Sequence, residues 1–194
     1  MSYEAAVYYL AEKAEKDGIT FSNLKIQKLV YYSQGFHLGI FDTPLFDQEI
    51  EAWDHGPVVS PLYHSLKSFG RSNIALASLA LCLGVQSAAG LNNEQKAILD
   101  LVYDEYGHKG ALALRAQTHH ESPWLMHSHD GTSSGRADQM EITIEELKGY
   151  FTPKMMESYI SKVDGALDAL IDSGYVDIPD TVNSEEDFIA WMTA

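Results

Sequence analysis

A chain of 194 residues, 45% of them hydrophobic, is long enough to bury a core unaided. Its single cysteine, Cys82, excludes an intrachain disulfide and a cysteine-rich zinc site. A formal net charge of -15 repels phosphate backbones, which argues against general nucleic-acid binding and favours fast approach of a basic protein partner. Cys82 is expected to be a small buried hydrophobe in a reducing compartment. The start of the chain lacks the basic and apolar run of a signal peptide, and no stretch has the apolar length to cross a bilayer. A cytoplasmic protein with no membrane association is the expectation.

Tyr3 to Lys16 places Ala6, Val7, Leu10 and Ala14 on one face and ends at Asp17-Gly18, which predicts an amphipathic helix with a glycine stop. From Ser22 to Ile40, Ile26, Leu29, Val30, Phe36 and Ile40 recur at helical spacing, and Leu24, Tyr31, Tyr32 and Leu38 cover much of the remaining circumference. A helix apolar nearly all round must be wrapped by other elements, so this is the predicted centre of the domain. Thr20 or Ser22 supplies its cap. Gly35 and Gly39 mark either close approach of a neighbour or fraying, and Lys25, Gln27, Lys28, Gln34 and His37 are its few polar groups.

Phe41-Asp42-Thr43-Pro44 is turn chemistry. Gln48 to Asp54 alternates, with Ile50 and Ala52 on one side and Glu49, Glu51 and Trp53 on the other, as a half-exposed strand does. A tight corner from His55 to Ser60 leads into a helix reaching Phe69-Gly70, with Ser60 as cap and Pro61 in the first turn. Ile74 to Val85 fits either strand or helix, and a short strand near Ile74 to Leu76 is the favoured reading. Helices are predicted from Glu94 to Tyr106, capped by Asn92 or Asn93, from Gly110 to His119, and from Thr143 to Phe151. Met126 to Gln139 reads as an exposed loop. Residues 1–152 are expected to form the main domain, and 153–194 a helical extension with helices over 154–171 and 184–192. The fold class is therefore mainly α, with a minor short-stranded sheet beside a buried central helix.

Two local patterns carry possible chemistry. Gly131-Thr132-Ser133-Ser134-Gly135 matches a nucleophile elbow, but that turn needs an apolar strand before the serine and a helix after it, and these flanks are polar loop. His119, His120, His127 and His129, with Glu121 and Asp130, crowd a short span, yet a zinc site needs ligands converging from a rigid frame. A metal- or histidine-dependent hydrolase is thus the alternative reading, and no metal or cofactor is expected. No helix-turn-helix is apparent.

Three blocks resemble one family. Leu24-Lys25-Ile26-Gln27-Lys28-Leu29-Val30-Tyr31-Tyr32-Ser33-Gln34-Gly35-Phe36-His37-Leu38 is similar to the Lys-Leu-x-Lys-Leu-Leu-Tyr-Tyr-x-Gln-Gly-x-His-Leu stretch of the Panacea domain of SocA-like antitoxins and phage-associated GepA-like proteins. Ile50-Glu51-Ala52-Trp53 leading into Gly56-Pro57-Val58-Val59 and Tyr63 resembles its Ala-Trp-x-x-Gly-Pro-Val-Val-x-x-Tyr block, and Thr118-His119-x-x-x-Pro123-Trp124 its Thr-His-x-x-x-Pro-Trp element. Ser122 and the histidine loop after Trp124 depart from the pattern.

The resemblance implies a non-catalytic antitoxin that binds a cognate protein toxin encoded nearby, in some members as an adaptor to a ClpXP-type protease. Toxin contact is then expected at Lys28, Tyr31, Tyr32, Trp53, His55, Gly56, Pro57 and Tyr63, because Lys28, Gly56 and Pro57 exceed what apolar packing alone requires. His119, Pro123 and Trp124 form a second group.

Overall fold

The structure is a computed structural model that describes residues 3–155. Helix α1 spans Tyr3–Lys16, and a two-residue strand β1, Phe21–Ser22, leads into α2, Asn23–Phe41. Ser22 caps α2, its Oγ accepting from Lys25 N at 3.4 Å, and Asp42 ends it in the left-handed conformation at φ 59°. Asn23 and every residue from Lys25 to Leu38 are buried, as an all-round apolar helix requires. Helices α1, α5 (Asn93–Tyr106) and α6 (Ala111–Thr118) surround it, with α3 (Ser60–Leu66) and the sheet on its remaining flank.

The hairpin β2 (Ile50–Trp53) and β3 (Gly56–Val58) pairs Trp53 with Gly56 and Glu51 with Val58, leaving Asp54-His55 as a two-residue loop. Strand β4, Asn73–Ile74, pairs with β1, and α4 follows at Leu76–Leu83. A four-residue α7, Ser122–Leu125, precedes β5, Glu141–Ile142, which pairs Ile142 with Ile50 on the free side of β2. Residues 144–155 are helical, here α8. The chain is thus mainly α, with minor short-stranded antiparallel sheets.

Gly35 is where the closing helix meets the central one. A Cβ there would collide with the Phe151 ring, and one on Gly39 would lie 3.0 Å from the Phe151 backbone, so both glycines admit close approach rather than fraying. The Tyr32 ring lies flat on Tyr106 of α5 at 4.0 Å between centroids.

Several expectations change. The ambiguous stretch after Asn73 resolves as a strand ending at Ile74 and a helix, because Leu76, Leu79 and Leu83 recur at helical spacing and pack on the core. Cys82 then falls on the outer side and is exposed rather than buried. Ser60 is the first helical residue rather than the cap, which is Val59 with no capping side chain. Gln27 Oε1 holds Val59 N at 2.9 Å and Val59 stays extended, so the helix starts directly after it. The loop after Met126 is largely exposed but is pinned by a Ser128–Ala137 bridge and by β5. The closing helix runs on through Pro153, and the predicted helices beyond residue 155 lie outside the described residues.

Candidate partner-binding site

The polar groups of α2 all reach main-chain atoms of other segments. Lys25 Nζ donates to Gly107 O at 2.6 Å, Lys28 Nζ to Pro57 O at 2.8 Å, and the His37 ring meets Thr43 O at 2.7 Å. Gln34 accepts from Leu45 N and Phe46 N and donates to Phe46 O. Gln27 accepts from Val59 N and donates to Asn23, which in turn donates to Tyr63 O at 3.2 Å. Each buried loop group so paired avoids a desolvation cost of about 1–3 kcal/mol. With Lys25 and Lys28 enclosed, no basic patch forms with Lys67 and Arg71.

All three motif blocks converge on Gly56. Its φ is +94°, and a Cβ there would lie 2.7 Å from both Lys28 Nζ and Thr118 Oγ1, so only glycine fits without displacement. Trp124, fully enclosed, donates from Nε1 to Trp53 O at 2.8 Å and stacks on the His119 ring at 3.9 Å. Pro123 occupies the first turn of α7, where its missing donor costs nothing. Tyr31 and Tyr32 both donate to Glu121 at 2.9 Å, so the buried carboxylate has two hydroxyl donors.

Charge in this interior is disfavoured. Burial, then Arg115, drives Lys28 well below the ordinary lysine range, although Glu121 opposes this. Burial raises Glu121 against the pull of Lys154 and the two tyrosines. His119 is pushed down to about 4 by burial, then by Arg115 and Lys28, and its Nε2 has no partner among the described residues.

A pH dependence follows. The folded His119 pKa lies below its unfolded value near 6.5, so its neutral form supports the fold above that pH, and the support is lost as pH falls toward 4. Urea unfolding at pH 7 and pH 5 is expected to show a smaller difference in His119→Gln than in the parent. Equal differences would mean another group titrates.

Lys28, Tyr31, Tyr32, Gly56, Pro57, His119, Pro123 and Trp124 are therefore buried, with no surface to offer a docking partner. Their physical role is to fix the corner. Trp53, His55 and Tyr63 are the members of the expected set that reach solvent. The Trp53 and Tyr63 rings sit 5.0 Å apart, and Trp53 Nε1 donates to Glu51 at 2.7 Å. His64 completes the cluster, its ring 6.3 Å from Trp53 and 5.4 Å from Tyr63. Sequence reasoning missed His64; its place one residue after Tyr63, on the exposed side of a short helix, was the available signal.

The histidines do not assemble. His127 meets Glu146 at 3.2 Å and His129 meets Ala137 O at 3.0 Å. His120 Nδ1 lies 3.0 Å from Ser133 Oγ, which donates to His119 O. Among the described residues no three His, Cys, Asp or Glu side chains are grouped to hold a metal. Ser133 lies in polar loop with no strand feeding it, unlike a nucleophile elbow. Likewise, no helix among the described residues is long and apolar enough to cross a membrane.

No curated protein and no solved structure shows significant similarity to the chain. A family model described as antitoxin SocA-like, Panacea domain, matches residues 26–125, an interval that runs from the middle of the first α2 turn through the end of α7. That interval holds the Gly56 corner and every residue that fixes it, and it spans just over half of the sequence. The chain belongs to the antitoxin SocA-like Panacea domain family.

Proposed function

We propose that this protein is an antitoxin that neutralises a cognate protein toxin by direct binding, with no turnover of its own, at the surface formed by Trp53, His55, Tyr63 and His64. The observation that carries the reading is the division of labour at the corner. Buried motif side chains are occupied in holding main chain, and what they hold out to solvent is a cluster of aromatic rings. Large aromatics that are partly buried and rigidly backed are the side chains most often found as interface anchors. The formal charge of -15 favours a basic toxin by speeding its approach.

The family implies a toxin encoded beside this chain, acting in the cytoplasm. Residues 1–152 are the binding domain in this reading. The extension over 153–194 is the segment left for any further role, such as delivery to a ClpXP-type protease.

The test is co-expression of the neighbouring reading frame's product with Trp53→Ala and Tyr63→Ala variants, followed by binding measurements on the purified pair. An anchor typically contributes 2 kcal/mol or more, so each variant is expected to bind roughly thirtyfold more weakly while melting close to the parent. Folded variants that bind and protect like the parent would remove the toxin contact from this surface.

A further inference from the structure

A second feature, on the opposite end of β2 from Trp53, has the form of a receptor. The segment from Pro44 to Ile50 and the segment from Glu141 to Leu147 enclose a groove of about 200 Å³. Its floor is apolar, built from Phe46, Ile50, Ile142 and Leu147, all at most 2% exposed. Gln34 clamps Leu45 and Phe46 from beneath through three main-chain hydrogen bonds, so the floor is preformed.

Size decides what class of ligand fits. Sites for drug-sized molecules occupy roughly 300–1,000 Å³, whereas this groove matches one large side chain and its flanking backbone. Charge decides the rest. The exposed carboxylates of Glu49 and Glu141 stand at the rim, and no lysine or arginine lines the groove. Gln48 adds a buried side-chain oxygen with no donor among the described residues. β5, at the groove's side, is an edge strand of its sheet.

We infer that this groove binds a basic extended segment of the partner protein, seating one large aliphatic side chain on the Ile50–Ile142 floor. Lysine or arginine neighbours then meet Glu49 and Glu141, and an N–H of the segment donates to Gln48. A second copy of this chain is a poor occupant, because its own charge is -15. The identity of the partner as the toxin rests on the antitoxin reading above; the chemistry of the segment does not.

The test uses the purified full chain and a phage-displayed library of random peptides, followed by affinity measurements on synthetic copies of the enriched sequences. Enrichment of peptides with a leucine, isoleucine or methionine flanked by lysine or arginine is expected. Those peptides should perturb the methyl resonances of Ile50 and Ile142. They should also bind roughly tenfold more weakly to a Glu49→Lys, Glu141→Lys double variant, whose exposed changes leave the core untouched. No enrichment, enrichment of acidic peptides, perturbation elsewhere, or equal affinity for the double variant would each overturn the inference. Because no toxin enters this experiment, its failure leaves the co-expression result standing, and a negative co-expression result leaves the peptide affinity to be judged alone.

Discussion

Trp124→Ala is expected to destabilise the protein by about 3–5 kcal/mol, the range for removing a large aromatic from a core. The side chain is fully enclosed and stacked on His119, and its Nε1 is the donor for Trp53 O. For a domain of this size that loss corresponds to a melting temperature lower by roughly 6–20 °C. Trp124→Phe separates the contributions, since it keeps a stacked ring and forfeits chiefly the hydrogen bond, worth about 1 kcal/mol. Thermal melts of both variants are the measurement. If both matched the parent, α7 would not be coupled to the hairpin.

Leu29→Ala should cost about 2–5 kcal/mol, because Leu29 is fully buried near the middle of α2 and neighbouring helices can close only part of the cavity. Leu29→Met, which nearly conserves volume, should cost less than about 1.5 kcal/mol. Urea denaturation of the pair distinguishes the two cases. A Leu29→Ala midpoint equal to the parent's would mean that α2 is not the central support.

The helices were legible in the sequence wherever period and caps agreed. Asn92 and Gln95 form the reciprocal box that opens α5, and Thr143 with Glu146 forms another before α8. The short strands were not legible, because β1, β4 and β5 are two residues each and exist only through partners distant in sequence. Helical period also identified Lys28 and Gln34 as odd polar residues on an apolar cylinder. It could not say that their partners are main-chain atoms 29 and 12 positions away. For that reason the candidate site mixed two populations. Tyr31 and Trp53 look alike as amphipathic aromatics, yet one donates to buried Glu121 and the other stands at the surface.

The grip of α2 on main chain bears on how this surface can change over time. Main-chain N–H and C=O groups are common to nearly all residue types, so the bonds from Gln27, Lys28 and Gln34 to Val59, Pro57, Leu45 and Phe46 do not read the identity of the side chains displayed beside them. A donor position such as Val59 excludes little besides proline. Outward-facing residues such as His55, Pro61 and His64 can therefore be exchanged while the corner keeps its shape. A scaffold anchored in this way can follow a changing binding partner by surface replacement alone, without refitting its interior.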